Sequence, residues 1–190
     1  MTIPKAISFL PINTAPPDLG TEIGSGVHGQ VYTLIHNPNH VVKLSVLADV
    51  FLSAVERQYH FVMQHPHSTL AQVFDHQPIH HDDELHITIY SATLERLYPL
   101  DEDEQRVMKS VVMDYNDSTN TLDARQHIEE LQHWLDFDRQ KVMDFYTALS
   151  TLPVIHRDFH RRNIMKDKLG NFKLIDFELI EIKPEKSDAH

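Results

Sequence analysis

Cysteine is absent from the 190 residues of this sequence. Its absence excludes a disulfide framework, a thiolate metal site and a cysteine nucleophile, and it fits a reducing compartment. Basic residues are also scarce: 17 Lys and Arg stand against 28 Asp and Glu, for a formal net charge of -11. A sequence-independent nucleic-acid binder needs a basic face, so nucleic acid is set aside as a partner. A nucleotide is not excluded, because one lysine, backbone N–H groups and a metal suffice to hold phosphates. No apolar run approaches the roughly 20 residues of a membrane-spanning helix. The first residues, Met1 to Pro17, lack the charged-then-apolar order of a signal peptide. The expected setting is the cytoplasm, with no membrane partner. What is present, 41% hydrophobic and 24% charged residues, is ordinary globular composition, enough for one domain or two small lobes sharing a cleft.

Residues 1–19 contain Pro4, Pro11, Pro16 and Pro17 and read as an extended arm; residues 20–190 read as a single domain. From Thr21 the pattern turns to strand. Val31 to Ile35 and His40 to Leu44 are β-rich runs joined by the turn Asn37-Pro38-Asn39. Asp49 to Met63 predicts a helix, with Phe51, Leu52, Val55, Tyr59 and Val62 on its apolar face. Ala71 to Ile79 and Leu85 to Thr93 predict two more strands, separated by the polar turn His80-His81-Asp82-Asp83. Five strands and one helix thus make an antiparallel first half over 20–95. After the connector Glu95 to Leu100 the pattern is helical as far as Leu152, within a second half over 96–190. One helix starts near Asp101, with acidic residues in its first turn. Another covers Leu122 to Leu149 and breaks at Asp136-Phe137-Asp138.

The chemistry concentrates between Ile155 and Glu178. Asp158, Asn163 and Asp176 all carry oxygen donors, and the apolar pairs Val154-Ile155, Ile164-Met165 and Leu174-Ile175 read as short buried strands around them. The turn Lys166 to Asn171 contains Gly170-Asn171, residue types that tolerate positive φ. A hairpin with a carboxylate or amide at each edge suits magnesium, a hard cation that keeps substrate phosphates in its shell. Upstream, Gly24-Ser25-Gly26-Val27-His28-Gly29-Gln30-Val31 fits G-x-G-x-x-G-x-V. It lies between strand-like runs rather than opening a helix, which separates it from a dinucleotide-binding fingerprint, and no Gly-Lys-Ser/Thr follows. Such a hairpin lets backbone N–H groups approach phosphates, although any one glycine loop is equally a plain turn. Lys43, among Val41, Val42 and Leu44, is either an exposed strand lysine or a phosphate-neutralising group. Glu56, on the helix that follows, is either solvated or its ion-pair partner. The 15 histidines include His36 and His40, His65 and His67, and His80 and His81. None shows H-E-x-x-H spacing, and most are expected in solvent-facing loops.

Taken in order, these features resemble the protein-kinase-like superfamily, from Glu22 to Glu178. His156-Arg157-Asp158-Phe159-His160-Arg161-Arg162-Asn163 is similar to the catalytic loop H-R-D-x-x-x-x-N, and Asp176-Phe177-Glu178 stands where the family has Asp-Phe-Gly. The resemblance implies a bilobal α+β fold with a five-stranded antiparallel first lobe, one helix and a truncated helical second lobe. It implies ATP and magnesium as cofactors. Asp158 would be catalytic, together with Lys43 and Asn163, and Asn163 and Asp176 would hold the metal. Gly24, Ser25, Gly26, Gly29 and Val31 would cover the nucleotide. Lys43 would contact its phosphates, Glu56 would brace Lys43, and the backbone of the Glu95-Arg96-Leu97 hinge would hold adenine.

The expected reaction is transfer of the γ-phosphoryl group to a protein serine or threonine hydroxyl, including the protein's own. His160, in place of the usual lysine, and Asp-Phe-Glu are similar to aminoglycoside and choline phosphotransferases, which makes a small-molecule acceptor the second expectation. A non-catalytic nucleotide-binding module that docks a partner is the third. Twelve residues follow Glu178, too few for an activation segment and a peptide-docking platform. Arg157 then lacks its usual phosphate partner, and a second protein could complete the shortened lobe. Comparably short kinases occur among the effectors that pathogenic bacteria inject into host cytoplasm.

Overall fold

Alternating β-branched runs punctuated by polar turns dictate the first half of the chain. The computed structural model describes residues 18–26, 29–116 and 124–184; most of the expected arm, the loop residues Val27 and His28, and Leu122 at the expected helix start lie outside the described residues. The protein is mixed α+β, with a five-stranded antiparallel sheet and four α-helices among the described residues. The chain divides into two units, Met1–Pro66 with Gln72–Arg96 and His67–Ala71 with Leu97–His190.

The first unit contains β1 (Leu19–Ser25), β2 (Gly29–Leu34), β3 (His40–Ala48), α1 (Asp49–Gln64), β4 (Val73–Asp82) and β5 (Ile87–Glu95). The strands are ordered β1-β2-β3-β5-β4. Residues directly opposite in antiparallel neighbours share a face. The pairs Tyr32↔Val42 and Val46↔Ile89 therefore gather Tyr32, Val42, Leu44 and Ile89 into one buried cluster. The opposite face carries Lys43, Ser45, Tyr90 and Ala92. Helix α1 lies on that second face, its Tyr59 ring 5.7 Å from that of Tyr90. It buries Val55, Tyr59 and Val62, a stripe with i, i+4, i+7 spacing.

Both bounds of β4 differ from the expected Ala71 to Ile79. Its start is delayed because Ala71 donates to the carbonyl of Leu174, while Thr69 accepts from the Leu174 N–H, so residues 69–71 pair within the second unit. Its end moves past His80-His81 because the Asp82 carboxylate accepts from the N–H groups of Glu84 and Leu85, fixing the turn at Asp83–His86. His80 and His81 are therefore strand residues. His40 and His76 lie in strands and His60 in a helix, as expected of their segments, and His156 is buried in a strand.

In the second unit, α2 (Glu102–Asn116) is followed by α3 (Ala124–Leu131) and α4 (Arg139–Leu149). Asp101 and Glu104 cap α2 reciprocally: each carboxylate accepts the other's N–H at 2.9 Å. The expected break at 136–138 begins earlier, because α3 ends at Leu131. The Asp136 N–H then donates to Asp103, and Asp138 caps α4 by accepting from the Lys141 N–H. Four short strands follow: β6 (Val154–His156), β7 (Ile164–Lys166), β8 (Phe172–Leu174) and β9 (Ile180–Ile182). The first of the three expected apolar pairs does not join the hairpin. β7 pairs with β8, whereas β6 pairs with β9, which had no strand signal of its own. No helix among the described residues is long and apolar enough to cross a membrane.

Leu44 is fully buried in the sheet cluster. Leu44→Ala is expected to destabilise the protein by about 2–5 kcal/mol through lost transfer energy and a residual cavity. The shift of the urea unfolding midpoint measures it.

Candidate functional site

The glycine-rich hairpin, Lys43 and Glu56 all belong to the first unit. Register brings several of them into one row, since Gly24 lies opposite Val31, Val31 opposite Lys43 and Lys43 opposite Ala92. Glycine and alanine leave little side chain in that row, so Lys43 stands with Val31 among small neighbours. The three loop glycines differ in kind. A Cβ at Gly29 would lie 2.3 Å from the carbonyl oxygen of Leu44, so strand packing alone requires glycine there. At Gly26 a Cβ would meet nothing within 4 Å, and its N–H closes the turn onto the Gly29 carbonyl. Packing among the described residues does not demand glycine at that position. Ser25 is exposed beside it.

Glu56 sits half-buried on α1 and acts electrostatically on His76 and Tyr90. The Tyr90 hydroxyl and His76 Nδ1 share a hydrogen bond at 2.5 Å. Burial, followed by the charges of Glu56 and Asp75, pushes the Tyr90 hydroxyl well above the usual phenol range. Burial and then His60 lower His76, against the opposing pull of Asp75 and Glu56. This histidine–tyrosine pair carried no sequence signal, because β4 and β5 bring it together across the ladder. Glu95 ends β5, where its N–H donates to the Gln72 carbonyl and its carboxylate accepts from the Gln72 N–H at 2.8 Å. Leu97 is a buried residue of the second unit.

Asp158, Asn163 and Asp176 belong to the second unit, and main-chain bonds tie their segments together. Asn163 is buried in a 3-10 turn, Arg161–Asn163. Its Nδ2 donates to the Asp158 carbonyl at 2.9 Å and to Asp158 Oδ2 at 3.2 Å. That orientation leaves Oδ1 as the Asn163 atom suited to a hard cation. The Ile175 N–H donates to the Asn163 carbonyl, and His156 Nε2 donates to the Ile175 carbonyl, both at 2.9 Å. Asp176 is thereby placed one residue from a doubly anchored backbone.

Asp176 itself has φ 66° and ψ 74°, a left-handed conformation, while Phe177 beyond it is buried. A non-glycine residue held there costs about 1–3 kcal/mol, and such strain persists where flanking anchors over-determine it. His156 lies close enough to both carboxylates to feel them. Burial nevertheless dominates and lowers its pKa, with the Ile175 hydrogen bond, Asp176 and Asp158 opposing. His156 thus acts as a neutral brace between β6 and the Asp176 segment.

Two further contacts had no clear reading in the sequence. Arg157 pairs with Glu181 on β9 through its Nε and Nη2. Lys166 donates to both carboxylate oxygens of Glu104, at 2.8 and 2.6 Å, tying β7 to the start of α2. That hydrogen bond raises the Lys166 pKa against burial. The spacing of Asp101 and Glu104 signals the helix cap, but nothing local signals the lysine. A cavity of about 400 Å³ lies beside this contact, lined by Tyr98, Lys166, Asp167, Lys168 and Gly170. It includes none of the three oxygen-donor residues.

Burial is the leading cause that lowers His67, His76 and His156 from the ordinary 6.5. A depressed folded pKa contributes stability that is complete above the unfolded value and lost as pH falls through the folded one. The thermal midpoint should hold above about pH 7 and drop as the pH falls below about 6.5, in proportion to the protons taken up on unfolding. Thermal melts across that interval measure it, and a midpoint rising on acidification contradicts the assignment.

A scan against protein-family models found no match, and a search of curated proteins found no relative.

Proposed function

We propose that this protein is an ATP-dependent phosphotransferase of bilobal protein-kinase-like fold, moving the γ-phosphoryl group to a protein serine or threonine hydroxyl. The observation that carries the reading is the Asp158–Asn163–Asp176 constellation. A buried amide grips one carboxylate, leaves its own oxygen for a cation, and is joined through Ile175 to a second, strained carboxylate. Phosphoryl transfer asks a protein mainly for positioning and charge neutralisation, and this set is suited to both.

Asn163 Oδ1 and the Asp176 carboxylate would hold magnesium, and the all-oxygen donor set fits that ion. When bound, magnesium would neutralise charge on the transferring phosphate. Asp158 aligns the acceptor hydroxyl and receives its proton. Lys43, in its row of small neighbours, would take the nucleotide phosphates, and Gly24, Ser25, Gly26, Gly29 and Val31 would help hold the nucleotide. Glu56 would support Lys43, and the backbone of the Glu95-Arg96-Leu97 segment would hold the adenine. A small-molecule acceptor is the second reading, favoured by His160 and Asp176-Phe177-Glu178, which are similar to the motifs of aminoglycoside and choline phosphotransferases. A cytoplasmic site of action accords with a chain lacking cysteine.

ADP release in the presence of magnesium tests the reading. Asp158→Ala should lower turnover at least about 100-fold while nucleotide affinity changes little. Lys43→Ala should weaken nucleotide binding and turnover together. Labelled ATP with a cell extract then separates acceptors, label in protein supporting the first reading and label in metabolites the second. Nucleotide binding without ADP release from the wild type would make this a docking module instead.

A further inference from the structure

We infer that Asn116 is a positioning residue that fixes the main chain beside Asp158, an inference that rests on the phosphotransferase reading. Asn116 is the last residue of α2, and its Nδ2 donates to the Phe159 carbonyl at 2.9 Å. Asn163 Nδ2 donates to the Asp158 carbonyl, also at 2.9 Å. On the other side, the Arg157 N–H donates to the Leu179 carbonyl at 2.9 Å. Three successive residues, Arg157 to Phe159, are thus each held by a main-chain bond. Their partners stand on α2, on the 3-10 turn Arg161–Asn163 and on a second 3-10 turn, Phe177–Leu179.

The two side-chain amides fix the peptide planes on either side of Phe159, and its ring is fixed as well. Phe159 is buried, its ring 4.3 Å from that of Tyr115, the neighbour of Asn116, and 6.3 Å from that of His156. The residue type at position 116 matters, because the free main-chain groups at a helix C-terminus are carbonyls and cannot bond another carbonyl. The Asn116 amide supplies the donor that the helix end lacks, whereas an aspartate there would set acceptor against acceptor. The first turn of α2 is tied to the same stretch, since Glu104 accepts from Lys166 on β7. One helix therefore holds the segment from Phe159 to Lys166 at both ends, with Asn163 between them.

In the proposed reaction the acceptor oxygen forms a bond to the γ-phosphorus as the bond from that phosphorus to the β,γ-bridging oxygen breaks. ADP leaves with that electron pair, and the hydroxyl proton passes to the Asp158 carboxylate. Asn116 exchanges no proton and touches no reactant in this step. Its contribution is the placement of the Asp158 main chain, which appears in kcat and not in nucleotide affinity.

The test has a spectroscopic arm and a kinetic arm, both on the full chain. NMR of the nucleotide-free wild type should show coupling across the hydrogen bond from Asn116 Nδ2 to the Phe159 carbonyl carbon. Its absence overturns the inference whether or not the protein is an enzyme. In the kinetic arm, Asn116→Asp, equal in size but unable to donate, should lower kcat by about 10- to 100-fold, the scale of a misaligned catalytic group. The KM for ATP should stay essentially unchanged and the thermal melt should remain cooperative. Asn116→Gln, which keeps the amide donor, should recover most of the loss. Unchanged kcat in Asn116→Asp, a KM for ATP that rises as kcat falls, or no recovery in Asn116→Gln overturns the inference while leaving the phosphotransferase reading intact. A wild type that releases no ADP overturns that reading instead, and the NMR result still decides the bond.

Discussion

The buried side chain of Asn163 is the constraint on which the second unit's chemistry depends. Its amide nitrogen donates to the carbonyl and carboxylate of Asp158, while the Asn163 main-chain carbonyl receives the Ile175 N–H and its main-chain N–H donates to the His160 carbonyl. One residue thus sets the distance between two chain segments that each carry a carboxylate. A buried amide left unsatisfied costs about 1–3 kcal/mol, so the network holds together or fails together. The strain at Asp176 is tolerable for the same reason: Ile175 on one side is bonded twice, and Phe177 on the other is packed away from water.

The first unit solves a different problem, keeping one cation at the centre of a sheet without surrounding it with bulk. Cross-strand register does this. Lys43 faces Val31 on one side and Ala92 on the other, with Gly24 one strand further out. The apolar residues of β3 occupy the other face, where Val42 and Leu44 join Tyr32 and Ile89. A one-residue slip of β3 would exchange the two faces, so the buried cluster enforces the lysine's orientation. Electrostatics are secondary here. The cations Arg106, Arg139 and Arg157 pair with acidic neighbours at largely exposed positions, where such pairs contribute little.

Strong local patterns were legible in the sequence. The heptad-like stripe Val55, Tyr59, Val62 announced α1, the polar run after Lys166 announced the β7–β8 turn, and alternation announced the five strands. The misses share a cause. β4 begins late because Thr69 and Ala71 are claimed by Leu174, about a hundred residues further on in the chain. β9 exists because β6 offers it an edge, and three residues are too few to display a period. The interruption before α4 is longer than expected because Asp103, more than thirty residues earlier, captures the Asp136 N–H. His80 and His81 were expected in a turn, but β4 runs through them because the Asp82 carboxylate fixes the turn beyond them.

Residue order alone determined which groups are available: a glycine hairpin, a strand lysine, two aspartates and an asparagine, with no thiol anywhere. It also determined that the two aspartates and the asparagine stand at strand ends and turns, because the apolar runs stop beside them. Only tertiary structure decided that Asn163 turns its nitrogen to Asp158, that His160 Nε2 lies within 3.3 Å of the same oxygen, and that Asp176 adopts a left-handed backbone. Hydrogen-bond direction and backbone strain depend on what distant segments place within about 3 Å. A one-dimensional pattern carries no such distances.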